Sequence, residues 1–177
     1  MDLRKKKTLR AIEEAFYKIR VQKQLETITV TELCRIAEIS KATFYLHYRD
    51  IFDLSQKLQD QIIASIVSKI DDPLSILTQP AHFMGIFASA VEADSERIHV
   101  VFSGSQAGIL ALRTLAHIKE LIFSQMQQLK DRPEVSVFLT YHILGGYYAC
   151  IENRQCIDYK QVLNILEKIQ PSPLTID

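Results

Sequence analysis

The chain contains few of the residues that interrupt regular secondary structure. Only 5 glycines and 5 prolines occur among its 177 residues, which is too few for an all-β fold with many tight turns. Its three cysteines, Cys34, Cys150 and Cys156, have neither metal-ligand spacing nor the pattern of a disulfide framework. We expect them to be reduced thiols of a cytoplasmic protein, and we predict no metal ion or other cofactor.

Long apolar runs are also absent. No stretch approaches the ~20 residues that a membrane span requires, and Glu13 and Glu14 follow the basic N-terminus too closely to leave room for the apolar part of a signal peptide. We therefore expect no membrane partner. With 47% apolar and 24% charged residues, the composition is that of an ordinary globular chain that can bury a core.

The net charge is zero, but the charges are unevenly distributed. Residues 1–60 carry 12 Lys/Arg against 9 Asp/Glu, whereas residues 61–177 carry 9 against 12. Five of the basic residues lie within the first ten positions, namely Arg4, Lys5, Lys6, Lys7 and Arg10. A basic N-terminal part suits a polyanionic partner, although a solvated, frayed terminus gives the same pattern.

Helical periodicity begins near the N-terminus. Apolar residues recur at steps of three and four from Leu9 to Ile19, which predicts an amphipathic helix over residues 4–23. Thr29 and Glu32 have the spacing of a capping box at the start of a second helix.

The same pattern continues along the rest of the chain. Ser40 is a good N-cap for a third helix after a turn at residues 38–39, and Asp50 can cap a fourth helix that continues to Ile70. Further helices are predicted over residues 81–93, 95–103, 105–130, 134–153 and 158–170. The sequence therefore predicts an all-α fold.

The third helix has two contrasting faces. Phe44 and Tyr48 are one turn apart and are predicted to pack inward. The opposite side presents Ala42, Thr43, Tyr45 and Leu46, and Lys41 lies at its N-terminal edge. These residue types suit a DNA major groove, since threonine can bond a base or a phosphate, and alanine or leucine can contact a thymine methyl group.

Other polar residues nearby are candidates for contacts with the DNA backbone. Tyr45, His47 and Arg49 can bind phosphates. Thr29 and Thr31 lie at the N-terminus of the second helix, and a helix N-terminus attracts phosphate. The alternative is that these helices are only a structural hairpin of the core. That alternative does not account for the exposure of the side chains of Tyr45 and Leu46.

This stretch resembles the TetR family of bacterial transcriptional regulators over about residues 8–58. The similarity rests on Ile-Thr-Val at 28–30 and on Ile-Ala-Glu-Ile-Ser-Lys-Ala-Thr-Phe-Tyr-Leu-His-Tyr at 36–48. By position, the resemblance implies that the major groove is contacted by Lys41, Ala42, Thr43 and Tyr45. It implies that phosphates are held by Thr29, Thr31, Tyr45, His47 and Arg49.

Two positions depart from the family pattern. The turn usually has glycine where this chain has Glu38, and the fourth helix often begins with a lysine where this chain has Ile51. The first change places an acid near DNA and removes the residue best suited to a left-handed backbone. The second removes one expected phosphate contact. Both departures are expected to weaken DNA binding.

The resemblance also implies two domains with separate functions. Residues 1–50 would form a three-helix DNA-binding domain of the helix-turn-helix type, and residues 51–177 a helical bundle that binds a small effector and forms a two-fold dimer. Candidate lining residues for the effector pocket are the aromatics Phe83, Phe87, Phe102, Phe123 and Tyr141. Aromatics at helical spacing are also typical of a packed core.

The last two predicted helices carry the candidate dimer interface. Apolar residues recur along each of them, and two adjacent glycines in the first would let another helix approach closely. The candidates are Phe138, Gly145, Gly146, Tyr148, Ile151, Val162, Ile165, Leu166 and Ile169. Packing within one subunit is the alternative for these positions.

The function predicted from the sequence is that of a homodimeric, sequence-specific regulator that binds a palindrome in double-stranded DNA. Repression relieved by a small-molecule effector is the expected mode of action. The alternative is a regulator-like protein that acts through a protein partner with weak or no DNA binding. An enzyme is not expected, because the chain has no nucleophile elbow, phosphate-binding loop, paired catalytic carboxylates or metal motif.

Overall fold

The computed structural model describes residues 3–149 and the isolated positions 161, 164, 165 and 168. Within these residues all regular secondary structure is helical and no strand is present, which confirms the all-α prediction. The α-helices are α1 (Leu3–Arg20), α2 (Val30–Ile36), α3 (Lys41–Tyr45), α4 (Ile51–Val67), α5 (Ser75–Thr78), α6 (Pro80–Ala93), α7 (Ser95–Val101), α8 (Ile109–Gln125) and α9 (Pro133–Tyr147). Short 3-10 turns occur at Leu25–Thr27, Gly104–Gln106 and Gln127–Leu129.

The helices form two compact units. The first unit contains the chain up to Ile62 together with Glu96–Gly108, and the second contains Ile63–Ser95 and the chain from Ile109 onwards. The division falls within α4. The boundary predicted from the sequence, between residues 50 and 51, stays a prediction.

The first unit has a core of α1, α2, α3 and the start of α4. The inner side of α1 buries Ile12, Phe16 and Ile19, and the neighbouring helices contribute Leu33 and Leu54. Burial of large apolar side chains is the main stabilising contribution to a unit whose shortest helices cannot persist alone.

A buried arginine ties the 96–108 segment to α1 within this unit. Arg20 donates from Nη1 to the carbonyl of Lys23 at 2.9 Å and from Nη2 to the carbonyl of Ser103 at 2.7 Å. In the same region Arg97 Nε donates to the Tyr17 hydroxyl at 3.2 Å. The two arginines thus bond two loop carbonyls, one after α1 and one after α7, and a tyrosine hydroxyl of α1.

In the second unit, α6 packs against α5 and α9, and α8 packs against α9. Pro80 begins α6 at a position where its missing N–H costs nothing. Gly146 allows a close approach, since a Cβ there would collide with the side chain of Met84. On α8, Lys119 Nζ donates to the hydroxyls of Ser136 at 2.7 Å and Thr140 at 3.0 Å, both on α9.

Several predicted boundaries differ from those observed. The helix predicted over 105–130 is divided, because Met126 leaves the helical conformation with φ −133° and ψ 79°, and α8 therefore ends at Gln125. The fourth helix ends at Val67 rather than at residue 70. The short helix α5 was not predicted. It follows a turn in which the Asp72 carboxylate accepts from the Leu74 amide at 3.0 Å.

Candidate nucleic-acid interface

The predicted reading element is the pair α2 and α3 in the first unit, and each helix is capped by a hydroxyl. Thr29 Oγ1 accepts from the Glu32 amide at 3.2 Å, and Ser40 Oγ accepts from the Thr43 amide at 3.0 Å. Only half of the predicted capping box forms, because the Glu32 carboxylate pairs with Lys23 Nζ at 2.7 Å. Both helices nevertheless begin at the residues that the caps predicted.

The turn between the two helices contains Glu38 in the left-handed conformation, with φ 54°. The Ile39 amide donates to the Cys34 carbonyl at 3.0 Å, which is the six-to-one bond of a Schellman motif. An L-residue at that position is strained. The backbone thus takes the path that glycine would favour, although the side chain is an exposed acid.

The inner face of α3 is fixed by two aromatic residues. Phe44 and Tyr48 are both buried, as predicted, with ring centroids 5.7 Å apart. Burial, assisted by the nearby carboxylates Glu13 and Asp53, raises the pKa of Tyr48 to about 12. Burial likewise raises the pKa of the Cys34 thiol on α2, which opposes formation of a reactive thiolate.

The opposite face of α3 projects outward. We name it the α3 outer face, and it consists of Lys41, Ala42, Thr43, Tyr45 and Leu46. Tyr45 is 56% exposed and Leu46 is 81% exposed. Thr43 is half-buried, and its hydroxyl shares a 2.9 Å hydrogen bond with Ser40 Oγ. The α3 outer face therefore exposes an aromatic ring and an aliphatic side chain beside a lysine.

The candidate phosphate-binding residues lie on both sides of this face in the sequence. Thr29 and Thr31 are exposed at the start of α2. The Thr29 oxygen already accepts a bond from α2, so its O–H remains able to donate. His47 is half-buried after α3, and Arg49 is exposed with Nη2 at 3.4 Å from the Asp53 carboxylate.

Two charged residues of α4 that the sequence reasoning missed contact the end of this element. Asp53 accepts from the Arg49 amide at 3.0 Å, which is the main cause that lowers the pKa of its carboxyl. Lys57 Nζ donates to the His47 carbonyl at 2.9 Å and pairs with Asp53 at 3.1 Å. The i, i+4 spacings from Arg49 to Asp53 and from Asp53 to Lys57 were the available signal.

The two departures from the TetR pattern have different structural settings. Glu38 is exposed in the turn, where its charge can act on a ligand of α3. Ile51 is buried as the first residue of α4, and the exposed side chain there is Phe52, at 54% exposure. The isoleucine is therefore a core residue of the first unit.

The basic residues near the N-terminus are helical rather than irregular. Lys5, Lys6, Lys7 and Arg10 are exposed on α1, which begins at Leu3. Arg10 pairs with Glu14 one turn later at 2.8 Å. This part of α1 presents concentrated positive charge on the first unit.

Comparison with protein-family models, with curated proteins and with solved structures finds no match to this chain. No helix within the described part is long and apolar enough to cross a membrane. The described residues also contain no group of three or more His, Cys, Asp or Glu side chains arranged to hold a metal ion.

The candidate effector-pocket residues occupy different environments. Phe83 and Phe87 are buried in the second unit, Phe123 is half-buried and Tyr141 is exposed, whereas Phe102 belongs to the first unit. Open grooves in the described part of the second unit include the following two. One groove has a volume of about 570 Å³ and is lined by Ser136, Val137, Thr140, Tyr141, Leu144, Gly145 and Tyr148. The other has a volume of about 520 Å³ and is lined by Lys69, Ala81, His82, Gly85, Ile86, Ser89 and Ala90. The predicted pocket shares only Tyr141 with these grooves, and its role stays a prediction.

The candidate dimer residues on α9 fall on two sides of the helix. Gly146 packs inside the second unit against Met84, whereas Gly145 faces open space. Tyr148 is exposed, and Phe138 is half-buried against the ring of His142 with centroids 4.0 Å apart. Ile165 is exposed at an isolated described position. Ile151, Val162, Leu166 and Ile169 lie outside the described residues.

Proposed function

We propose that this chain is a DNA-binding transcription regulator of the TetR type, in which α2 and α3 form a helix-turn-helix element. The observation that carries the proposal is the α3 outer face. Tyr45 and Leu46 are exposed on it beside Lys41, while Phe44 and Tyr48 anchor the same helix in the core. A leucine can contact a thymine methyl group, and a tyrosine hydroxyl or a lysine can bond a phosphate or a base edge, so the three side chains together suit a DNA groove.

The surrounding charges support the same proposal. Exposed basic residues of α1 and the residues Thr29, Thr31 and Arg49 can neutralise or bond phosphates. Contacts of this kind make affinity depend on salt, because bound phosphates release counterions. In this proposal the α3 outer face reads base edges, and the other residues set its register on the duplex.

We further propose that the regulator acts as a cytoplasmic homodimer on a palindromic operator. One five-residue recognition helix covers few base pairs, so two copies at a fixed spacing are needed for a specific site. The support within the second unit is a set of residues on α9 and directly after it that we name the α9 face: Val137, Tyr141, Leu144, Gly145 and Tyr148. Leu144 is half-buried and the other four are exposed. Repression released by a small-molecule effector completes the proposal.

Truncation of Tyr45 tests the role of the α3 outer face. Tyr45→Ala removes an exposed ring and a hydroxyl from the proposed groove surface, so DNA affinity is expected to fall about tenfold or more. Leu112→Ala is the matched control, since Leu112 is an exposed apolar residue of α8 outside that surface. Fluorescence anisotropy with a labelled duplex that the wild type binds measures both variants. Equal affinity of Tyr45→Ala and the wild type would show that the α3 outer face does not contact DNA.

A salt series on the wild type tests the phosphate contacts. The logarithm of the binding constant is expected to fall linearly with the logarithm of salt concentration, by about 0.9 for each neutralised phosphate. A slope near zero would contradict binding led by the DNA backbone.

A second candidate function is recognition of a protein partner, and specific observations favour it. Phe52 is exposed at the start of α4, and the acid Glu38 is exposed in the turn before α3. Neither residue assists contact with a polyanion. The DNA titrations separate the two functions, because a protein that acts only through a partner would show no sequence preference in them.

A further inference from the structure

The segment between α3 and α4 requires external support to keep a fixed shape. The helix α3 comprises only Lys41–Tyr45, which is too short to be stable alone. After it, the Leu46 amide bonds the Ala42 carbonyl, and the His47 and Tyr48 amides both bond the Phe44 carbonyl, so the chain continues as a turn and not as a helix. The next residues include His47 and Arg49, two of the proposed phosphate contacts, so the path of this segment determines where those side chains lie.

From the second turn of α4, Lys57 supplies two contacts to this segment and one to Asp53 of its own helix. Its Nζ donates to the His47 carbonyl at 2.9 Å and to Asp53 Oδ2 at 3.1 Å. It also lies 4.8 Å from the centroid of the Tyr48 ring. A cation near the C-terminal end of a helix also interacts favourably with the partial negative charge at that end.

Asp53 bonds the backbone of Arg49, the next residue of the segment. Its Oδ2 accepts from the Arg49 amide at 3.0 Å, and its own amide donates to Asp50 Oδ1 at 2.8 Å. Since Lys57 is bonded to the same carboxylate oxygen, the backbone at residues 47 and 49 is connected to α4 through one continuous set of polar contacts. A linked set of bonds restrains geometry more than one exposed ion pair would.

We propose that Lys57 is a positioning residue for DNA recognition, one that fixes the C-terminal end of α3 and the segment 47–49 without contacting DNA itself. This inference rests on the proposed function. An ammonium group has three N–H donors, and the carbonyl, the carboxylate and the ring face already occupy its surroundings. Because its side chain is 49% exposed, a direct phosphate contact is the alternative that a salt series distinguishes.

The first arm of the test needs no DNA. Lys57→Met keeps most of the apolar stem over Tyr48 but removes the charge and the donors. The amides of His47, Tyr48 and Arg49 are all hydrogen-bonded in the native protein. Their hydrogen exchange is expected to become about tenfold faster in Lys57→Met, because losing a bond to a charged donor lowers the free energy of local opening. Lys18→Met, which removes an exposed lysine of α1, should leave these rates unchanged.

The second arm measures DNA binding across a range of salt concentrations. Lys57→Met is expected to weaken binding about three- to tenfold at every salt concentration, with the wild-type slope retained, whereas loss of a direct phosphate contact lowers the slope by about 0.9. Lys57→Arg, which keeps the charge and the donors, should recover most of the amide protection. A lowered slope, or unchanged exchange at residues 47–49 in Lys57→Met, would overturn the proposal.

The two arms also keep this inference distinct from the proposed function. If the wild-type protein binds no DNA, the proposed function fails, yet the exchange rates still determine whether Lys57 holds the segment. If the wild type binds DNA and the exchange rates do not respond to Lys57→Met, the positioning role alone fails.

Discussion

Among single residues, Glu38 combines backbone strain with an unfavourable charge. Its φ of 54° is costly for any residue with a Cβ, by about 1–2 kcal/mol. Its carboxylate is exposed in the turn that leads into α3. Glycine would relieve the strain, and either glycine or glutamine would remove the charge, so the two effects can be separated by substitution.

We predict that Glu38→Gly raises the free energy of unfolding by about 0.5–1 kcal/mol, because strain relief exceeds the added freedom of the unfolded chain. Glu38→Gln should leave stability nearly unchanged. Both variants should bind DNA several-fold more tightly at low salt, with the gain declining as salt screens the charge. Urea unfolding and anisotropy titrations measure the two quantities. Unchanged affinity in both variants would show that this turn lies away from the DNA.

Tyr48 gives a prediction about alkaline pH. Its pKa is raised to about 12 from an ordinary value of 10.0, so the folded protein keeps the phenol proton at a pH where the unfolded chain has lost it. This contribution to stability is fully present below pH 10 and is lost as the pH rises through 12. Between these values the stability of Tyr48→Phe should decline less steeply than that of the wild type. Urea unfolding at several pH values measures this, and an equal decline of the free energy of unfolding in both proteins would contradict the raised pKa of Tyr48.

The inward and outward residues of α3 were predictable, whereas the bond from Lys57 to the His47 carbonyl was not. Phe44 and Tyr48 are separated by one helical turn, and periodicity alone predicted their burial. Lys57 bonds a carbonyl ten residues earlier in the chain. No local pattern encodes that contact, because it depends on how the chain bends between α3 and α4.

At the scale of helices, the starts that follow a capping side chain were predicted well, whereas the end of α8 was not. Thr29, Ser40 and Asp50 each accept a backbone amide three residues later, and α2, α3 and α4 begin directly after them. The end of α8 has no such signal. Met126 leaves the helical region there although methionine is a good helix former.

The short length of α3 makes its cap important for the whole reading element. Ser40→Ala removes the acceptor for the Thr43 amide and is expected to cost about 1 kcal/mol of stability, with weaker DNA binding as a result. Ser89→Ala is the matched control, because the Ser89 hydroxyl bonds a carbonyl within α6 and caps no helix. Urea unfolding compares the two variants. A loss no larger than that of the control would mean that the Ser40 cap contributes little.

At the scale of the whole molecule, the sequence indicated the all-α class but not how α9 is used. Two adjacent glycines predicted a close helix contact on α9. In the structure Gly146 makes such a contact with Met84 inside the second unit, and Gly145 faces open space. Which side of a helix meets a helix from a distant part of the chain depends on packing, and local periodicity does not specify that choice.

The α9 face leads to a prediction about oligomeric state. We expect the wild-type protein to have a mass about twice its 20.3 kDa chain mass. Tyr141 is 78% exposed on that face, so Tyr141→Asp should place a charge in the dimer interface and shift the protein towards monomer. Leu112→Asp is the matched control on α8. Light scattering after size exclusion measures both, and an unaffected dimer in Tyr141→Asp would place the interface elsewhere.

The most direct test of the central proposal is selection of bound sequences from a pool of random DNA duplexes with the wild-type protein. A dimer with one recognition helix per subunit predicts an enriched palindrome, with half-sites whose centres are separated by about one helical turn or a multiple of it. Enrichment of such a palindrome would support both DNA reading and two-fold symmetry. Recovery of no enriched sequence at low salt would contradict the proposed regulator and favour a function through a protein partner.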